Sequence, residues 1–86
     1  MIKHINTESN IKRIAKYIIN ELDDIYSSWT VTGVIRVDVS PNLVTDFQAN
    51  KKAYITGINQ FLKYNHVTCK SYDIDTIAFN IEEGYL

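Results

Sequence analysis

Trp29-Thr30-Val31-Thr32-Gly33-Val34-Ile35-Arg36-Val37-Asp38-Val39 alternates apolar and polar residues with the period of two that a half-buried strand requires. Trp29, Val31, Gly33, Ile35, Val37 and Val39 fall on one side. Thr30, Thr32, Val34, Arg36 and Asp38 fall on the other, so one face is built to be covered and the other is mostly built to stay wet.

Upstream of this strand, residues 7–27 change to a period near 3.6. Ile11, Ile14, Ala15, Ile18, Leu22 and Ile25 recur at spacings of three and four, which makes one apolar stripe along a helix. Asn6 or Thr7 supplies the N-cap, and Glu8 suits the positive end of the helix dipole. The other charges run against that dipole. Lys12, Arg13 and Lys16 crowd the N-terminal half while Glu21, Asp23 and Asp24 crowd the C-terminal half. Residues 1–5 alternate weakly and serve as a lead-in or a short edge strand.

Downstream, Ser40-Pro41 has the form of an N-cap followed by proline at the first helical position. Leu43, Val44, Phe47, Tyr54, Ile55, Ile58, Phe61 and Leu62 carry a helical period to about Tyr64, with a break at residues 47–50 allowed by the pattern. A turn at 40–42 leading into a short strand at 43–47 is the alternative. Gly57 shares a face with Tyr54, Ile58 and Phe61, where a missing side chain lets another backbone approach.

The last section is a hairpin whose register follows from parity. Facing Val67 and Cys69 toward Ile77, Phe79 and Ile81 pairs Val67 with Ile81, Cys69 with Phe79 and Ser71 with Ile77. The other face then pairs His66 with Glu82, Thr68 with Asn80, Lys70 with Ala78 and Tyr72 with Thr76. This register asks for a three-residue loop, Asp73-Ile74-Asp75, with Asp75 in the left-handed region. Residues 82–86 form a tail.

The expected fold is therefore α+β in two layers, with two main helices on one face of a roughly three-stranded sheet in the order α-β-α-β-β, as a single domain over residues 1–86. If the second helix is a crossover, the strand around Ile35 and the strand at 66–71 run parallel. The inward set is Ile14, Ile18, Leu22, Val31, Ile35, Val37, Ile58, Phe61, Val67 and Phe79, with Cys69 inaccessible beside Phe79.

Composition narrows the function classes. A formal net charge of -1 and a pI near 6.0 argue against a general DNA coater, whose affinity needs a large excess of Lys and Arg. One cysteine closes no internal disulfide and builds no structural zinc site. That thiol, the polar N-terminal ten residues and the lack of a long apolar run fit a reducing cytoplasm. The wealth of Ile, Asn, Lys and Tyr is what an AT-rich genome encodes.

Catalytic constellations fail on geometry. His66 and Cys69 fall on opposite faces of a strand, His4 stands alone, Asp23 with Asp24 marks a helix end, Asp73 with Asp75 marks a turn, and Glu82 with Glu83 lies in the tail. No cofactor or metal is implied, and the chain is expected not to be an enzyme.

The expected function is a small binding protein that modulates or inhibits another macromolecule, of the kind a phage or mobile element directs at a host enzyme. Its partner would be a protein of unknown identity, and a homodimer is compatible. Two surfaces are candidates: the charged face of the first helix, with Lys12, Arg13, Lys16, Glu21, Asp23 and Asp24, and the wet sheet face, with Arg36, His66, Lys70 and Tyr72. Nucleic acid is the alternative partner. The order of helix, strand, helix, second helix and hairpin resembles a winged helix, which implies a DNA-binding regulator. Residues 49–62 resemble a helix-turn-helix in having Ala53 four residues before Gly57 and Ile58 after it. Lys52, Thr56 and Lys63 depart from that pattern, since all three fall where its apolar anchors belong.

Overall fold

The structure is a computed structural model and describes residues 7–25, 33–62 and 65–82, excepting the side chains of Asp23, Asp24 and Ile25. The elements follow in the order α1 (Thr7–Ile25), β1 (Gly33–Asp38), α2 (Pro41–Ala49), α3 (Lys51–Phe61), β2 (His66–Tyr72) and β3 (Thr76–Glu82). The three strands make one antiparallel sheet in the order β1-β3-β2, and the helices pack on it. No helix among the described residues is long and apolar enough to cross a membrane.

The alternating stretch does form a strand, with Ile35 and Val37 buried and Val34, Arg36 and Asp38 exposed. Its place is the sheet edge, because β3 rather than β1 lies in the middle. β1 and β2 point the same way, as a crossover demands, but β3 separates them and both pair with it antiparallel. Gly33 holds φ +146°, a region that L side chains rarely adopt, so this position needs glycine. Residues 29–32, including Val31 of the expected core, lie outside the described residues, as do 1–6, 26–32, 63–64 and 83–86.

α1 buries the stripe expected of it, from Ile11 through Ile14, Ala15, Ile18 and Leu22. α2 starts as Ser40-Pro41 foretells. Pro41 occupies the first turn and the Ser40 hydroxyl accepts a hydrogen bond from the Leu43 amide at 3.2 Å. The alternative of a strand at 43–47 is thereby excluded. The helical period does break, at Asn50, whose φ of -129° leaves the helical region and divides the segment into α2 and α3.

Gly57 sits inside α3 rather than in a turn, which overturns the helix-turn-helix placement at 49–62. It is a point of close packing: a Cβ added there would lie 2.9 Å from both Cδ1 and Cγ2 of Ile11 on α1. Phe61, expected inside, is 45% exposed. The helix ends at that residue, and Leu62 turns to an extended conformation and takes the inward position instead.

The hairpin follows the expected register from His66↔Glu82 to Cys69↔Phe79 and then departs from it. A β-bulge at Lys70 shifts the remainder, giving Ser71↔Ala78 and Tyr72↔Ile77. One extra residue restores parity, so the turn closes with the Asp73 amide donating to the Thr76 carbonyl at 2.7 Å. No three-residue loop with a left-handed Asp75 is needed, and no described residue other than glycine has a positive φ. Cys69 faces Phe79 as expected but is half-buried rather than inaccessible.

α3 is fastened to the outer edge of β2 by one side chain. The Asn59 carboxamide accepts from the Val67 amide at 2.7 Å and donates to the Val67 carbonyl at 3.2 Å, standing in for a fourth strand at that residue.

Two substitutions test these contacts. Gly57→Ala gains about 1 kcal/mol of helix propensity but overpacks against Ile11, for a net loss of about 1 to 2 kcal/mol in denaturant unfolding. In that background Ile11→Ala costs less than it does alone, because the two sites share one contact. Asn59→Ala leaves both Val67 backbone groups without this partner and costs about 1 to 3 kcal/mol, with faster amide exchange at Val67.

Candidate functional site

Three helix segments meet at one carboxylate. Asp46, in the last turn of α2, accepts through Oδ2 from the Thr7 hydroxyl at 2.8 Å and from the Tyr54 hydroxyl. Its Oδ1 accepts from Asn50 Nδ2 at 3.0 Å, and the same amide nitrogen donates to the Asp46 carbonyl at 3.1 Å. Asn10 Nδ2, buried on α1, donates to the Tyr54 hydroxyl at 3.0 Å. Asp46 thus joins the first turn of α1, the break at Asn50 and the body of α3, and it lies where the α1 dipole favours a negative charge.

Tyr54 is fully buried and its ring meets Phe47 edge-on at 5.3 Å. Burial first, then the hydrogen bond to Asp46, pushes its phenol up to about 12. The hydroxyl stays protonated and serves as a donor between two helices. This cluster locks the angle of α3.

The lock determines what α3 shows to solvent. Tyr54 and Ile58 turn inward, and Lys52, Ala53, Thr56 and Gln60 turn outward along a shallow groove that begins at Ala49 and Asn50, while Lys51, exposed at the start of α3, reaches toward β2. Lys51 Nζ also stands 6.0 Å from the Tyr72 ring centroid. This surface belongs to a longer acid-free run. Residues 47–72 contain four lysines, Lys51, Lys52, Lys63 and Lys70, and His66, while all ten acidic residues of the chain lie elsewhere. A net charge near zero therefore hides a strong separation of sign. Counting charges over the chain misses it, whereas spacing the acidic residues along the sequence reveals it.

The residues expected at a site are dispersed. Lys12, Arg13 and Lys16 stand exposed on α1, Glu21 is partly buried, and Asp23 and Asp24 occupy its last residues with side chains outside the described set. Arg36 lies opposite Ala78 on the open sheet face, and His66 lies on the same face opposite Glu82. Lys70 is exposed at the bulge. Tyr72 leaves the wet face: the bulge pairs it with Ile77 and turns it to the helix side, where its ring meets Phe47 edge-on at 6.0 Å. Arg36, Ser71, Tyr72, Asp73 and Thr76 line a small depression over Ala78.

Cys69 and His66 do fall on opposite faces, so they form no nucleophile and base pair. Burial pushes the Cys69 thiol up, against the opposing pull of Lys51. Among the described residues no three His, Cys, Asp or Glu side chains gather as a metal site.

Comparison of the chain with protein-family models, with curated proteins and with solved structures finds no match.

The phenol sets a pH dependence. A folded-state value raised from 10.0 to about 12 means that its stabilisation is complete below pH 10 and is lost as the pH climbs toward 12. Tyr54→Phe removes a donor to Asp46 and lowers stability at neutral pH by about 1 to 3 kcal/mol. Unfolding midpoints of the two proteins should converge across that alkaline window; a constant gap would contradict a buried donor role.

Proposed function

We propose that this chain is a non-enzymatic binding module whose partner is a nucleic-acid duplex, engaged through the outward face of α3. The observation that carries this reading is the exposed set of Lys52, Ala53, Thr56 and Gln60 on the outward face of a helix fixed by its inner face, with Lys51 exposed at its start, within a 26-residue stretch free of acidic side chains. Lysine supplies phosphate contact, while Thr and Gln supply the hydrogen-bonding groups that address base edges. An eleven-residue helix is about 16 Å long, enough to lie in a major groove.

The fold lends support by analogy. The break at Asn50 supplies the second helix that the winged-helix resemblance requires, and it moves the helix pair away from Gly57. Lys52 and Thr56, out of place in the earlier helix-turn-helix register, then lie on the solvent side of the second helix, where polar residues belong. The hairpin does not extend the analogy, since its turn carries Asp73 and Asp75 rather than basic residues.

A protein partner is the second reading. It rests on the exposed Lys12, Arg13 and Lys16 of α1, which oppose the dipole of their own helix. An inhibitor directed at a host enzyme belongs to this reading, as does action in the cytoplasm.

Fluorescence anisotropy with a labelled mixed-sequence DNA duplex over a salt series separates the two. Binding should weaken steeply with salt, and Lys51→Gln with Lys52→Gln should lower the slope of log K against log salt by about 0.9 for each lysine. Lys12→Glu with Lys16→Glu should leave that difference in place. A duplex that stays free at low salt, or a slope untouched by the α3 variant, overturns the nucleic-acid reading.

A further inference from the structure

The two edges of the sheet are treated differently. The β2 edge is interrupted at Lys70 by the bulge, carries that lysine exposed, and is capped at Val67 by Asn59. These are the usual means of preventing strand addition. β1 has no bulge and no side-chain cap among the described residues, and its exposed charges, Arg36 and Asp38, are of opposite sign. Its six residues pair with β3 without interruption, and the next amide, Val39, continues the ladder to the Asp75 carbonyl at 2.8 Å.

That last bond fixes which way the backbone groups of β1 point. With Val39 bonding inward, the alternation of an antiparallel ladder turns Ile35 and Val37 toward β3. The amides and carbonyls of Val34, Arg36 and Asp38 point out of the sheet. All three side chains are exposed, and no described segment pairs with this edge.

We propose that the β1 edge is a homodimer interface, in which two copies pair β1 with β1 antiparallel about a two-fold axis at Val37 and form a continuous six-stranded sheet. Charge selects the register. An axis at Arg36 would set that residue against itself, and an axis at Ile35 would set it against Val34 and leave Asp38 outside the pairing. With Val37 on the axis, Arg36 of each copy faces Asp38 of the other, twice by symmetry, and these are the residues whose backbone groups point outward. The two pairs exchange about four backbone hydrogen bonds.

Val37 meets the partner's Val37 on the helix side, beside a groove of about 150 Å³ whose walls include Ile14, Tyr17, Val39 and Leu43. Tyr17 is 42% exposed and Val39 half-buried, so an apolar rim borders the same edge. Because the axis runs perpendicular to the sheet, both helix layers fall on one side of it, and this inference stands independently of the ligand of α3.

Sedimentation equilibrium over a concentration series tests it, with circular dichroism to confirm that each variant folds. The natural chain should show a monomer-dimer equilibrium. Arg36→Asp alone and Asp38→Arg alone should each sediment as monomers, because like charges then face one another twice. Mixing those two variants should restore a dimer made of one copy of each, and Arg36→Asp with Asp38→Arg in one chain should dimerise by itself. A natural chain that is monomeric at every concentration overturns the proposal, as does concentration-independent exchange protection of the Arg36 and Asp38 amides, which would mean that residues 1–5 of the same chain occupy the edge. Dimers that survive both single reversals also overturn it.

Discussion

A single carboxylate bears the geometry of the helical layer. Asp46 receives hydrogen bonds from Thr7 on α1, Tyr54 on α3 and Asn50 between α2 and α3, so both of its oxygens are satisfied within the protein. A carboxylate so placed is costly to desolvate and costly to leave unpaired, which gives this arrangement of helices an advantage over others that bury similar apolar area. Apolar packing alone would tolerate several angles between α2 and α3. The directionality of four polar side chains does not, and Phe47 against both Tyr54 and Phe79 extends the constraint to the sheet.

The elements themselves were legible because each rests on a local repeat. Period two exposed β1 at Ile35 and Val37, period 3.6 exposed α1 from Ile11 to Leu22, and Ser40-Pro41 marked the start of α2. What escaped the sequence depended on geometry that no repeat encodes. The bulge at Lys70 leaves residue types unchanged while reversing the side that Tyr72 faces, so the register that parity implies extends only as far as Cys69. Helical spacing places Phe61 in the interior, yet the helix ends there and Leu62 fills the position. Strand order was equally hidden: the most regularly alternating strand is at the edge, since alternation reports one covered face and not the number of neighbours.

The candidate site divides along the same line. Lys52, Thr56 and Gln60 are visible as residues, but their common outward face needs both the break at Asn50 and the rotation of α3 set by Tyr54. Thr7 and Asp46 are 39 residues apart, and Asn10 and Tyr54 are 44 apart, so no spacing rule connects them. The charge contrast was open to inspection throughout. It was concealed by a net charge of -1, a sum that cancels an acid-free basic stretch against acidic flanks.

The same small sheet must be closed at one edge and leave the other unpaired, and the helices account for the difference. α3 lies against β2, where Asn59 substitutes for a neighbouring strand at Val67, and its position there follows from Tyr54 and Ile58 being drawn into the core. α1 packs against α3 through the close contact of Ile11 with Gly57, which holds it over the helical layer. At the other margin, Tyr17 and Val39 border the groove beside β1 rather than covering its backbone groups. The lock at Asp46 therefore has two consequences of opposite kind: by holding α3 it protects the β2 edge and presents the lysine-bearing face, and it leaves β1 to be satisfied by water or by another strand.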